Sequence, residues 1–371
     1  MRHVGIVGWR GMVGSVLLDR MREEKDFDLF EPHFFSTSQA GLEGPDLGKG
    51  STSLGDANDV AALSKLDAII SCQGGDYTKQ IHPALRQAGW RGYWIDAASA
   101  LRMDPAATII LDPVNRKQID NALRAERKDF IGGNCTVSLM LMGMAPLLEN
   151  GWVEWINAAT YQAASGAGAR HMRELLLQMR QLVTAAGAEL DDPAGAILAI
   201  DRNVQRELSQ ASLPTENFGA PLAASLLPWS DSAVDAGQTR EEWKGHVETN
   251  KILGLDPEVP VDGVCVRVGA MRSHSQALTL KLNRSIPLDE IAGVLGGAHE
   301  WIDVVPNDKQ ATITRLTPAR VSGTLTVAVG RLRKLKMGDQ FLSMFTTGDQ
   351  LLWGAAEPLR RMLRILIESA S

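Results

Sequence analysis

The chain has 371 residues, 44% of them apolar and 22% charged, with a formal net charge of −6. That composition excludes a disordered polymer, and the acidic balance argues against a nucleic-acid binder, which needs a basic face to neutralise phosphates. The length exceeds what one hydrophobic core usually serves, so about two domains are expected.

From the N-terminus, strands and helices alternate. His3–Val7 reads as a strand, Met12–Met21 as a helix, Pro32–Phe35, Asp67–Ser71 and Tyr93–Ile95 as further strands. Alternation of this kind implies parallel βαβ units, a doubly wound sheet, and ligands at the C-terminal strand ends. Gly8-Trp9-Arg10-Gly11-Met12-Val13-Gly14 joins the first strand to the first helix. Glycines there let a dinucleotide pyrophosphate approach the backbone and rest on the helix N-terminus. The pattern is GxxGxxG, with Arg10 where GxGxxG has its middle glycine, and a tight turn alone would also explain it. The second strand ends in Ser36-Thr37-Ser38-Gln39 rather than in a carboxylate. Hydroxyls tolerate a 2′-phosphate and Arg10 can offset its charge, so NADP is favoured over NAD.

Cys135 follows an apolar strand and a glycine pair in Ile131-Gly132-Gly133-Asn134-Cys135-Thr136, where a long apolar helical run begins. A thiol at a helix N-terminus meets unpaired N–H groups and the positive end of the helix dipole, which favours the thiolate. The other two cysteines, Cys72 and Cys265, read as core, and no disulfide framework or zinc spacing is present. This usage fits a reducing, cytoplasmic setting, and neither a signal peptide nor a membrane span is expected.

Beyond Asn134 the pattern changes to longer strands, at Trp152–Gln162, Val261–Met271, Ser275–Asn283 and Gly323–Leu332. An α+β unit with a mixed sheet is expected there. Asp349–Ser371 carries one amphipathic stripe that packs back on the first unit. The division is 1–133 for cofactor binding, with 355–371 docked on it, and 134–354 for catalysis and dimerisation. Of seven histidines, His274 interrupts an apolar strand pair near Arg267 and is the candidate acid/base, while His171 opens a helix and reads as surface or cap.

Taken together, the first glycine loop, Gly133-Asn134-Cys135-Thr136, Tyr161-Gln162-Ala163-Ala164-Ser165-Gly166, Glu241-Glu242-Trp243-Lys244, Glu248-Thr249-Asn250-Lys251, Arg267-Val268-Gly269 and His274-Ser275-Gln276 resemble aspartate-semialdehyde dehydrogenases of the Gram-negative type. The resemblance spans the chain. It implies an α/β fold, with a Rossmann-like NADP-binding domain and a mixed-sheet catalytic domain. It also implies reversible NADPH-dependent conversion of L-aspartyl-4-phosphate to L-aspartate 4-semialdehyde and inorganic phosphate, in lysine, methionine and threonine biosynthesis, by a homodimer. By the same resemblance Cys135 forms the acyl-thioester, His274 relays the thiohemiacetal proton and Gln162 orients the intermediate. Arg267 grips the α-carboxylate, Glu241 the ammonium, and Arg102 and Lys244 the phosphate with help from Asn134. Cofactor contacts fall on Gly8, Arg10, Gly11, Met12, Val13, Thr37, Ser38, Gln73, Ser165, Gly166, Pro193 and Gln350. Two rivals share parts of this pattern: an N-acetylglutamyl-phosphate reductase-like enzyme, in which Glu241 would lack a free ammonium, and an NADP-binding redox sensor using Cys135.

Overall fold

The computed structural model describes residues 2–47 and 53–369. Seven strands, β1 (His3–Val7), β2 (Glu31–Ser36), β3 (Gly55–Asp56), β4 (Ala68–Ser71), β5 (Tyr93–Asp96), β6 (Thr108–Ile110) and β7 (Asp129–Gly132), form one sheet in the order β3-β2-β1-β4-β5-β7-β6. Every pairing in it is parallel. Parallel strands need both faces covered, and the sequence supplies this by making alternate residues apolar on both sides. Ile6, Ile70 and Phe130 pack with Leu17 and Met21 of helix Met12–Glu23 and with Leu359, Met362 and Leu363 of helix Glu357–Ser369. Val7, Ile69 and Trp94 pack on the other face with Tyr77, Ile81 and Leu85 of helix Gly75–Gln87. The terminal helix is also held by a buried ionic cluster in which Arg360 meets Glu357 and Asp26 at 2.8 and 2.9 Å.

The second sheet contains β8 (Val153–Gln162), β9 (Leu226–Leu227), β10 (Val261–Val268), β11 (Ser273–Leu282), β12 (Ile302–Val304), β13 (Val327–Leu335) and β14 (Gly338–Asp349), in the order β12-β13-β14-β11-β8-β10-β9. It is mixed: β10 runs parallel to β8 and β12 to β13, while β11 is antiparallel to both of its neighbours. Helix Cys135–Glu149 lies against it and buries twelve of its fifteen residues. Leu139, Met142 and Met144 share a core with Leu278, Leu280 and Leu342. A helix apolar on all sides is an interior element, so its first residue is held on a rigid support.

The α/β architecture follows the expectation, with two local corrections. Asp349, expected to open the terminal helix, instead ends strand β14, a strand for which the sequence carries no clear pattern because Ser343, Thr346 and Thr347 break its apolar run. The residues after it do not enter an α-helix directly. Ala356 N–H bonds Leu351 O at 3.1 Å, closing a wide five-residue turn over Leu352–Ala356 before helix Glu357–Ser369 begins. Among the described residues no helix is long and apolar enough to cross a membrane.

Candidate active site

A pocket of about 650 Å³ lies away from this chemistry at the foot of the parallel sheet, lined by Phe27, Phe30 and His33 among others. The pocket of about 520 Å³ that holds the candidate residues opens between the two sheets, where the C-terminal ends of the parallel strands face the second unit. Met12, Val13, Arg102, Asn134, Cys135, Gln162, Ser165, Gly166, Glu241, Lys244, Arg267 and Gln350 all line it.

Sheet register explains why distant residues converge. Arg267 on β10 pairs with Gln162 on β8, and His274 on β11 lies one residue beyond the Ser275–Tyr161 pair. Three adjacent strands therefore present Arg267, Gln162 and His274 in one row. Cys135 comes from the other side, as the first residue of its helix. Its cap is Asn134, whose Oδ1 accepts from Thr136 N and Val137 N at 3.0 and 3.2 Å. The same Asn134 donates from Nδ2 to Glu241 Oε1 at 2.9 Å, tying the nucleophile's helix to the charged wall of the pocket.

Cys135 Sγ is 3.2 Å from His274 Nε2. Ala163 N–H donates to His274 Nδ1 at 2.9 Å, so Nδ1 is the acceptor nitrogen and the neutral ring carries its proton on Nε2, aimed at sulfur. Burial and the nearby Arg267 push the imidazole down to about 3. Burial, then Glu241, push the Cys135 thiol up to about 12 against the opposing charges of Arg267, Arg102 and Lys244. Desolvation thus opposes the pull of the helix N-terminus toward a thiolate, and the two shifts favour the neutral forms of both the thiol and the imidazole. Cys72 and Cys265 are pushed to about 12 in the same way, so what distinguishes Cys135 is its imidazole partner and its place on the pocket wall.

The charged wall is held by a continuous hydrogen-bond network. Glu241 accepts from Asn134, from Gln162 Nε2 at 3.2 Å and from Lys244 Nζ at 2.9 Å. Burial opposes its ionisation, but Lys244, Asn134 and Arg267 outweigh that and hold the carboxyl below its ordinary range. Lys244 also bonds Asp231 at 2.8 Å. Helix Arg240–Leu253 presents Glu241, Lys244 and Glu248 on one face and starts in a capping box made by Thr239 and Glu242. Arg267 donates to Ala163 O at 2.9 Å and to Ser230 Oγ at 2.8 Å, and Ser230 in turn donates to Gln162 Oε1 at 3.0 Å. Arg102 donates to Gly132 O at 2.7 Å and to Glu248 Oε1 at 3.1 Å.

On the cofactor side, Gly8 adopts φ +76° and a Cβ there would meet the Cys72 carbonyl carbon at 2.5 Å. A Cβ on Gly14 would meet Gly8 O at 2.3 Å, so the strand-to-helix turn closes only with glycine at both positions. Gln73 donates to Thr37 Oγ1 at 3.4 Å, joining the ends of β4 and β2. Gln350 donates to Ser165 Oγ at 2.7 Å, tying the end of β14 to the loop after β8. Gly8, Arg10, Gly11, Thr37, Ser38 and Gln73 lie outside the pocket lining, on the loops that follow the first parallel strands. Pro193 is not brought to the pocket: it sits in an exposed turn closed by Gly195 N–H on Asp192 O, between helices Ala169–Ala186 and Ile197–Leu208.

Three contributors have no role assigned from the sequence. Glu248 accepts Asn134 N–H at 2.6 Å, and its helical spacing from Glu241 and Lys244 was the available signal. Ser230 gave none, since it sits in a stretch without periodic pattern, and Gly354 was hidden within the amphipathic run Asp349–Ser371. A Cβ on Gly354 would lie 2.7 Å from Cys135 Cβ.

Two family models match the chain: the NAD binding domain of semialdehyde dehydrogenase over residues 3–122, and its dimerisation domain over 144–353. The aspartate semialdehyde dehydrogenase of Francisella tularensis is 50% identical over 99% of this chain and 100% of its own, with a TM-score of 0.93. The chain belongs to the aspartate-semialdehyde dehydrogenase family. Aspartate semialdehyde dehydrogenase II of Vibrio cholerae, solved with ASA, shares the fold at 23% identity and a TM-score of 0.82, covering 100% of this chain and 99% of that one. The NADP-bound Candida albicans enzyme shares it at 18% and 0.67, covering 99% and 98%. As a member of this family, the chain is an oxidoreductase acting on an aldehyde.

Proposed function

We propose that the protein is an NADP-dependent aspartate-semialdehyde dehydrogenase that works through an acyl-thioester on Cys135. The observation that carries this reading is one pocket holding a thiol 3.2 Å from an imidazole, a buried anionic Glu241 and the guanidinium of Arg267. The substrate has matching groups: an acyl carbon, an ammonium and a carboxylate. Glu241 accepts three hydrogen bonds, and a carboxylate offers about four acceptor positions, so one remains for an ammonium. An N-acetylated substrate would leave that anion unpaired, which disfavours the reductase-like rival. Arg267 engages one N–H from each terminal nitrogen in the protein and keeps others for a carboxylate.

In the biosynthetic direction Cys135 sulfur attacks the acyl carbon of L-aspartyl-4-phosphate. The carbon–oxygen bond to phosphate breaks, and the thiol proton leaves with hydrogen phosphate, received beside Arg102, Lys244 and Asn134. The Gly8–Gly14 loop with Thr37, Ser38, Gln73, Ser165, Gly166 and Gln350 would hold NADPH, which would supply the hydride. His274 Nε2–H donates a hydrogen bond first to sulfur and then to the oxygen that gains charge as the thioester is reduced. A full proton relay through this ring would set two N–H groups against each other at Nδ1, so donation without transfer is the role its surroundings favour. Gln162, fixed between Ser230 and Glu241, orients the acyl group. Breaking the carbon–sulfur bond releases the aldehyde, and the thiolate takes a proton from solvent.

NADP preference rests on the hydroxyls after β2 and on Arg10. We assign 1–133 and 355–371 to cofactor binding and 134–354 to catalysis and pairing. A cytoplasmic homodimer in lysine, methionine and threonine synthesis is the setting. The dimerisation description of the matching model and the exposed Tyr161, Leu176, Val183, Leu226, Trp229 and Val264 support the pairing. The test is NADPH formation from L-aspartate semialdehyde and NADP, with and without phosphate. Phosphate-dependent turnover that disappears in Cys135→Ala is expected; a folded, NADP-binding protein that turns over N-acetylglutamate semialdehyde instead would replace this reading with the reductase.

A further inference from the structure

A second cluster of ligand-type groups lies at the opposite edge of the parallel sheet, away from the catalytic pocket. His3 opens β1, Glu31 opens β2, and the two are paired in register. His33 follows Glu31 by two residues, so both project from the same face of β2. His3 Nδ1 and His33 Nε2 are 3.1 Å apart. Glu31 places Oε2 at 3.5 Å from the first nitrogen and Oε1 at 3.8 Å from the second.

Tetrahedral zinc, with bonds of about 2.0–2.2 Å to nitrogen and oxygen, sets neighbouring ligand atoms about 3.3–3.5 Å apart. The 3.1 and 3.5 Å separations lie close to that spacing, the 3.8 Å one is measured to the other carboxylate oxygen and closes by rotation of Glu31, and the backbones that carry the groups are fixed by strand pairing. The side chains are 41%, 51% and 37% exposed, in the order His3, Glu31, His33, so small rotations can close the set around an ion and a solvent position stays open. Two imidazoles and one carboxylate select transition metals of the zinc type over magnesium or calcium, which prefer oxygen. Arg2 is the competing cation, with Nε 3.7 Å from Glu31 Oε2, but its side chain is 81% exposed and able to swing aside.

We propose that His3, Glu31 and His33 bind one divalent ion of the zinc class, through His3 Nδ1, His33 Nε2 and a Glu31 carboxylate oxygen, with water in the fourth position. The ion pins the starts of β1 and β2 together and stabilises the folded chain by linkage, since the unfolded chain separates these ligands.

The experiment is a calorimetric zinc titration of the full chain carrying Cys135→Ser, which removes the competing catalytic thiol, followed by His3→Ala and His33→Ala in that background. One ion per chain is expected, with affinity falling more than about tenfold in each histidine variant, the loss that even an outer-shell change can bring. Cobalt in place of zinc should show d–d bands without thiolate charge transfer. Thermal melting should rise with zinc in the parent and not in the variants, while metal-free melting stays the same. Absence of saturable zinc binding, or equal affinity in parent and both variants, would overturn the assignment and leave the two imidazoles as a hydrogen-bonded pair only.

Discussion

Replacing Gly354 by alanine should disable catalysis by displacing the nucleophile, without removing any polar or charged group of the site. The new Cβ would stand 2.7 Å from Cys135 Cβ and 2.9 Å from Cys135 Cα. Carbon atoms in contact prefer about 3.5–4.0 Å, so the two backbones must part by about 1 Å. Neither atom can rotate away, because one belongs to the wide turn Leu352–Ala356 and the other to the first residue of a buried helix. The movement falls on the 3.2 Å contact between Cys135 and His274. A displacement of about 1 Å in a reacting group costs on the order of 10²-fold in rate, and overpacking of this kind costs about 1–3 kcal/mol of stability. Steady-state turnover with semialdehyde, NADP and phosphate should show kcat down by about that factor, with a smaller loss of NADP affinity in a fluorescence titration, since the Cβ stands 3.3 Å from Gln350 Cβ as well. A Gly354→Ala enzyme with kcat within about twofold of the parent would refute the claim that this close approach sets the position of the thiol.

Asn134→Ala removes a helix cap and one bond to Glu241, so urea unfolding should show a loss of about 1–2 kcal/mol and substrate KM should rise; an unchanged unfolding midpoint would contradict the cap. Alkylation of Cys135 in the ligand-free enzyme, corrected with Cys135→Ala, should accelerate about tenfold per pH unit from pH 6 to 9, because the thiolate fraction grows as pH approaches a thiol held near 12 and a neutral His274 draws off no proton. A plateau with a midpoint near neutrality would mean a preformed thiolate–imidazolium pair. Glu241→Gln should raise KM for aspartate semialdehyde far more than for succinate semialdehyde, which lacks the ammonium; equal effects on both would detach Glu241 from amine recognition. Arg10→Ala should narrow the preference for NADP over NAD, read as the ratio of kcat/KM, and an unchanged ratio would place 2′-phosphate recognition elsewhere.

Much of this site was legible because its chemistry rests on residue types that a plain core does not need. Cys135 after a glycine pair, His274 in an apolar strand, and Glu241 and Lys244 one helical turn apart each stand out in the sequence. The alternating first third gave the parallel sheet for the same reason: both faces of short strands had to be apolar. What stayed hidden depends on register or on close approach. The row formed by Arg267, Gln162 and His274 exists because β8, β10 and β11 are neighbours, and strands so far apart in sequence carry no local sign of that pairing. Ala163 acts through its backbone N–H, which no side chain announces. Strand β14 was masked by its threonines, and the wide turn after it by a run of apolar residues that would suit an α-helix equally well. His3 and His33 stand thirty residues apart in sequence, and only the pairing of β1 with β2 brings them together.

The central claim, a covalent acyl-enzyme on Cys135, is tested most directly by intact-protein mass spectrometry after mixing the enzyme with L-aspartate semialdehyde and NADP in the absence of phosphate. The account predicts one aspartyl group added per chain, one equivalent of NADPH formed in the burst, loss of the adduct when phosphate is added, and none of this in Cys135→Ala. NADPH formation with no adduct at any time, or an adduct that persists in Cys135→Ala, would contradict it.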